Sequence, residues 1–183
     1  ELANWWRKHG FGPLREVTAG IVLGRDLPVA VTVPTPAAMH ALGVELAGLL
    51  RAGDVIIATG ELGAGKTTLA RGIGEGLDVE GPVISPTFVL SRIHSARGDG
   101  PDLVHVDAYR MAGADELADI DLDATLSRSV TLVEWGEGIA EWLSDERLEI
   151  DIDREVGDEA RRVTLTGIGP RWDGALEAIR RKP

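Results

Sequence analysis

The chain has 183 residues, a formal charge of −11 at pH 7 and no cysteine. That length suits one domain with a full hydrophobic core, and the missing cysteines exclude a disulfide framework and thiolate metal sites, in keeping with a reducing cytoplasm. The acidic balance argues against a broad grip on nucleic acid, which needs clustered Lys and Arg, and no apolar stretch approaches the roughly 20 residues that span a bilayer, so a soluble protein without membrane contact is expected.

In chain order, residues 1–28 read as an N-terminal extension of unclear role and residues 29–183 as the main domain. Trp5, Trp6 and Phe11 lie among Arg7, Lys8 and His9, a cluster that suits the cover of a core edge better than a base-stacking surface. Residues 29–33 (VAVTV) predict a strand ended by Pro34. Thr35 followed by Pro36 is an N-cap with proline at the first helical position, and Met39, Leu42, Leu46 and Leu49 supply one apolar helix face, with Gly53 as its stop. Residues 54–59 (DVIIAT) predict a second, buried strand.

Directly after it stands Gly60-Glu61-Leu62-Gly63-Ala64-Gly65-Lys66-Thr67, a complete G-x-x-x-x-G-K-[ST] phosphate-binding loop. Its glycines let the backbone wrap a phosphate with N–H groups turned inward, and the helix that follows, with Leu69, Ile73 and Leu77 on one face, points its positive dipole end at the same anion. Lys66 is expected to reach the β- and γ-phosphates and the Thr67 hydroxyl to ligate Mg²⁺. The expected nucleotide-binding set is Glu61, Leu62, Gly63, Ala64, Gly65, Lys66, Thr67 and Thr68.

Further on, Gly81-Pro82 punctuates the chain, residues 87–90 (TFVL) suggest a strand and 95–101 a turn-rich loop. Two β-rich runs, 103–107 and 130–134, each end in a carboxylate, Asp107 and Glu134. Hydrolysis needs such a group at the end of a neighbouring strand to hold Mg²⁺ or orient its waters, and open α/β sheets bind ligands at that end. Between the runs, 114–126 has weak helical character. His105, flanked by Val104 and Val106, reads as a core or rim histidine rather than a catalytic one, and Trp135 is open between packing and nucleotide contact.

Near the end, Leu148, Ile150 and Ile152, then Val163 and Leu165, alternate with polar residues, which predicts an antiparallel hairpin turning near Gly157-Asp158. The acidic stretch from Asp145 to Glu159 reads as a solvated edge, with a docking surface for a basic partner as the other reading. Trp172, Ala175, Leu176 and Ile179 predict a final amphipathic helix. The fold class is α/β, a three-layer arrangement of the P-loop NTPase kind whose mostly parallel sheet is extended by the late hairpin. With no Gln and a single Asn, Asn4, the chain lacks the guanine reader of GTPases, which favours ATP and ADP as ligands.

Four ordered motifs, GELGAGKTT at 60–68, SPTF at 85–88, HVDAYR at 105–110 and LVEWGE at 132–137, closely resemble the TsaE (YjeE) family, small bacterial ATPases of tRNA threonylcarbamoyladenosine synthesis. The resemblance covers roughly residues 29–170; Gly136, where proline is common, and His94, where tyrosine often stands, depart from the pattern. It implies Thr67 and Glu134 as Mg²⁺ ligands, Lys66 on the phosphates, Asp107 orienting water or the metal shell, Thr87 facing the γ-phosphate and Trp135 near the nucleotide. It also implies TsaD and TsaB as partners that hold the tRNA, with ATP hydrolysis, slow in the isolated chain, resetting that pair between turnovers. The rival readings are a small-molecule kinase, which would recruit arginines such as Arg92, Arg97 or Arg110, and a binding module with vestigial hydrolysis.

Overall fold

An unbroken β-branched run such as Val55-Ile56-Ile57 suits a strand covered on both faces, and all three residues are buried at the centre of a seven-stranded sheet. The structure, a computed structural model, describes residue 6 and residues 11–18, 20–24, 26–154 and 159–180. Its strands are β1 (Gly12–Val17), β2 (Gly20–Gly24), β3 (Val29–Val33), β4 (Val55–Gly60), β5 (Ser91–His94), β6 (Asp102–Asp107), β7 (Ser129–Glu134), β8 (Arg147–Arg154) and β9 (Arg161–Ile168). The large sheet has the order β3-β9-β8-β4-β7-β6-β5. Its core of β8, β4, β7 and β6 is parallel, and antiparallel pairings add β9 to β8, β3 to β9 and β5 to β6.

Helices cover both faces. On one lie α1 (Pro36–Ala47) and α2 (Lys66–Gly76), packed over Leu103, Leu132, Leu148 and Leu165; on the other, α3 (Ala114–Ala118) and α4 (Asp123–Leu126) close a second core around Val55, Ile57, Val104 and Val133. The three layers are those expected. The Thr35 side chain accepts from the Ala38 N–H at 3.1 Å, as an N-cap should. α1 ends earlier than expected, at Ala47 with the Gly48 N–H returning to Glu45, while Gly53, at φ +93°, turns the chain into β4 instead. α1 and α2 meet backbone to backbone: a Cβ on Gly72 would stand 2.0 Å from the His40 carbonyl oxygen, and one on Gly43 would stand 2.4 Å from that of Leu69.

Residues 87–90 are a turn, not the expected strand. The Val89 and Leu90 N–H groups return to the Pro86 carbonyl at 2.8 and 2.7 Å, Leu90 sits at φ +64°, and β5 begins only at Ser91. Segment 114–126 is split into two short helices by Asp121, at φ +53°. The expected C-terminal helix is likewise shortened, to a 3-10 turn (Pro170–Trp172) and α5 (Glu177–Arg180), because Gly174 at φ +68° interrupts it; Trp172, Leu176 and Ile179 still reach the core.

Within the N-terminal extension, β1 and β2 form a two-stranded sheet of their own, and the rings of Trp6 and Phe11 meet edge to face at 4.9 Å. Trp5, Arg7, Lys8 and His9, and the turn at Gly157-Asp158, lie outside the described residues. Part of the acidic stretch is a sheet face rather than a loose edge: Glu149 and Asp151 are half-buried on β8, and burial, with Glu137, Glu149 and Asp153 nearby, holds the Asp151 carboxyl above its ordinary pKa. Among the described residues no helix is long and apolar enough to cross a membrane.

Candidate functional site

The loop between β4 and α2 bends through Gly60, Gly63 and Gly65, at φ +146°, +79° and +120°. A side chain would be strained at each, which is why this wrap requires glycine. Lys66 opens α2 and folds back over the loop, donating from Nζ to the carbonyls of Gly60 at 2.6 Å and Glu61 at 3.0 Å. The same ammonium stands 3.7 Å from the centroid of the Trp135 ring. Burial lowers its pKa from the ordinary lysine value, while the charges of Glu134 and Asp107 pull the other way.

Parallel pairing sets Asp107 of β6 beside Glu134 of β7, and Glu134 beside Ala58 of β4, so both carboxylates stand at the strand ends that face the loop. Each is 3% exposed, a degree of burial that a carboxylate tolerates only with partners. Glu134 accepts from the Thr67 hydroxyl at 3.0 Å on Oε1 and 3.2 Å on Oε2, and from His105 Nε2 at 2.8 Å on Oε1. Asp107 accepts at Oδ2 from Ser85 at 2.8 Å and Thr87 at 2.5 Å, and at Oδ1 from the Tyr109 N–H at 3.1 Å. Trp135 is held in the left-handed region, φ +62°, by an N–H bond to Ala58 at 2.9 Å and by contact of its ring with Tyr109 at 5.1 Å.

These groups enclose a cavity of about 380 Å³ lined by Leu62, Gly63, Gly65, Lys66, Thr67, Thr68, Ser85, Thr87, Asp107, Tyr109, Glu134 and Trp135. Two residues of the expected set stand outside it: Glu61 borders a neighbouring hollow with Gly60 and Ile152, and Ala64 is buried beneath the loop beside Met39 and Arg161. Ser85 and Tyr109 were not singled out from sequence, nor was His105 as a partner of Glu134. The alternation of His105 with Asp107 was the signal available for the histidine, since alternate residues of a strand share a face, whereas Ser85 lies outside any strand.

Arg92, Arg97 and Arg110 do not line the cavity. Arg97 lies 3.6 Å from Asp78, and the Arg110 guanidinium sits 5.9 Å from the Phe88 ring. Among the described residues no group of three or more His, Asp and Glu side chains could hold a metal by itself. The pair formed by the Thr67 hydroxyl and the Glu134 carboxylate is an all-oxygen donor set that fits Mg²⁺, which keeps most of its shell as water and phosphate oxygen.

A model of the family described as "Threonylcarbamoyl adenosine biosynthesis protein TsaE" matches residues 33–163. The tRNA threonylcarbamoyladenosine biosynthesis protein TsaE of Streptomyces coelicolor is 62% identical over 138 residues, covering 73% of this chain and 93% of that protein. The protein of the same name from Mycobacterium tuberculosis is 47% identical over 140 residues, covering 73% of this chain and 83% of its own. Among solved structures, the crystal structure of Bacillus subtilis YdiB matches with a TM-score of 0.67 at 35% identity, covering 85% of this chain and 95% of that one. With a phosphate loop at the head of α2, two buried carboxylates facing it and these matches across the main sheet, the chain belongs to the TsaE family.

Proposed function

We propose that this chain binds ATP with Mg²⁺ and hydrolyses it as an accessory protein of tRNA threonylcarbamoyladenosine synthesis, acting on a TsaD–TsaB pair to reset it between turnovers. The observation that carries this reading is the meeting of the Thr67 hydroxyl with the Glu134 carboxylate at 3.0 and 3.2 Å, directly after Lys66 in the chain and beside Asp107. The two relatives described above carry the name of that pathway, which supports its assignment.

Lys66 leaves the carbonyls of Gly60 and Glu61 for the β- and γ-phosphates, and N–H groups of the loop residues that line the cavity hold the same oxygens. Thr67 and Glu134 would hold the metal ion, which would supply neutralisation of charge on the phosphate oxygens. Asp107 orients the attacking water, and Thr87, bonded to Asp107 Oδ2, faces the γ-phosphate. Trp135 forms the wall next to Lys66. The balance is ATP plus water to ADP plus phosphate.

Leu62, Phe88 and Tyr109 leave the rim of the site exposed, by 84%, 89% and 58%. An open rim admits water and leaves the turn from Ser85 to Leu90 uncovered, so the isolated chain turns over slowly and a partner that covers the rim speeds it. With the chain at −11, tRNA contact is indirect, through the partners, and the setting is the cytoplasm, where tRNA is modified. The test is steady-state phosphate release from ATP by the chain alone and with TsaD–TsaB, with Lys66→Ala as the blank. Lys66-dependent stimulation is expected; equal rates with and without the pair overturn the partner role, and phosphate transfer that needs an added acceptor favours the kinase.

A further inference from the structure

Glu134 is held unevenly. Its Oε1 takes both the 2.8 Å bond from His105 Nε2 and the shorter of the two Thr67 contacts, 3.0 Å, whereas Oε2 has, among the described residues, the 3.2 Å contact with Thr67 alone. His105 is completely buried, Glu134 nearly so, and His105 Nδ1 has no hydrogen-bond partner among the described residues. A carboxylate only accepts, so Nε2 carries a proton; with no partner for Nδ1 among the described residues, that N–H is the one hydrogen bond the ring makes to them. A buried histidine with one satisfied nitrogen is not what a plain core position selects, because the other nitrogen is desolvated without return.

We propose that His105 is a positioning residue, which pins Oε1 of Glu134 from below and leaves Oε2 as the oxygen turned to the cation. This rests on the reading of Thr67 and Glu134 as the metal-holding pair. The strand pattern explains how it is done: His105 lies two residues before Asp107 on β6, on the same face, and parallel pairing puts it opposite Leu132, two residues before Glu134. From there its imidazole reaches up one step along the neighbouring strand. Without it the Glu134 carboxylate could rotate about its last torsion and present either oxygen, and a cation with strict geometry would meet a less ordered ligand. Partners that orient a metal ligand in this way typically change metal affinity by about tenfold or more when removed.

The experiment compares the wild-type chain with His105→Leu, which keeps bulk and loses the donor, and His105→Gln, which keeps an N–H at similar reach. ADP affinity is measured by calorimetry with Mg²⁺ and with EDTA, and the ratio of the two isolates the cation site from the phosphate loop. In His105→Leu the metal-free affinity stays near wild type while the Mg²⁺ enhancement falls about tenfold, and His105→Gln recovers most of it. Equal enhancement in wild type and His105→Leu, or equal loss in both variants, overturns the proposal. If His105→Leu does not fold, the imidazole nitrogen shifts of the wild-type chain decide: a proton on Nε2 and a bare Nδ1 are expected, and a proton on Nδ1 alone overturns it. Failure of the underlying reading has a different signature, because the wild type would then show no Mg²⁺ enhancement and no loss of ADP binding on Lys66→Ala.

Discussion

Lys66 and Trp135 are in contact through charge and ring face: the ammonium lies 3.7 Å from the ring centroid while its protons go to the carbonyls of Gly60 and Glu61. A nucleotide phosphate competes for that ammonium and must draw it off the indole. ADP binding therefore changes the tryptophan fluorescence, and although the chain has five tryptophans, Trp135→Phe removes the change. Lys66→Ala lowers ADP affinity about tenfold or more, since a hydrogen bond to a charged group is lost. A fluorescence response that survives Trp135→Phe would place the ring outside the binding event.

Asp107 has a hydrogen-bond partner on each oxygen, Ser85 and Thr87 on one and the Tyr109 N–H on the other, so its orientation is fixed before any ligand arrives. Asp107→Ala lowers partner-stimulated phosphate release about 100-fold while ADP still binds, as expected for loss of a group that orients the attacking water. Ser85→Ala has a smaller effect, because Thr87 and Tyr109 continue to hold the carboxylate. Single-turnover assays beside ADP titrations separate the two steps.

Asp54 and Arg171 form a fork-shaped ion pair behind the sheet, with Nε to Oδ1 at 2.9 Å and Nη2 to Oδ2 at 2.7 Å, and the same Nη2 reaches the Leu49 carbonyl at 2.7 Å. Both side chains are largely buried. Removing Arg171 leaves the buried Asp54 with only the Arg51 N–H at 2.9 Å and the Arg51 guanidinium at 4.0 Å among the described residues, so Arg171→Ala lowers unfolding free energy by about 3 kcal/mol, read by urea denaturation, with ADP affinity unchanged in the folded fraction.

Asp151 carries the opposite sign. A carboxyl whose pKa is raised on folding lowers stability where it must ionise, and the penalty disappears below its unfolded value of 3.8, where both states are protonated. Asp151→Asn accordingly raises the melting temperature by about 1–2 °C at pH 7, and the gain shrinks as pH falls toward 4. A gain that grows on acidification would contradict burial as the cause.

How much of this was legible in the sequence depended on whether the signal was local. The loop from Gly60 to Thr67 is contiguous and its chemistry is fixed by residue type, and the buried strands announced themselves through Val55-Ile56-Ile57 and 130–134. Elements that depend on tertiary partners were misread. The β-prone run 87–90 became a turn: Pro86 receives the Val89 and Leu90 N–H groups, and the hydroxyls of Ser85 and Thr87 are tied to a carboxylate some twenty residues away. Likewise, the alternation of His105 with Asp107 marks a shared face but not that its imidazole meets Glu134, 29 residues on; strand register brings them together.

The glycine contact between α1 and α2 has a mechanical consequence. Where main chain rests on main chain, at Gly43 against Leu69 and Gly72 against His40, no layer of side chains exists that could re-pack to let one rod slide or tilt on the other. Met39 of α1 also lies against Gly65, so that even the last hinge-like residue of the loop is braced from behind. The opposite wall, the turn from Ser85 to Leu90, is tied to Asp107 by two hydroxyls and by the Asp107 N–H to the Leu90 carbonyl at 2.9 Å, and it carries exposed apolar side chains. On the proposed function, this wall rather than the braced phosphate loop is the side of the site that has room to shift against a partner.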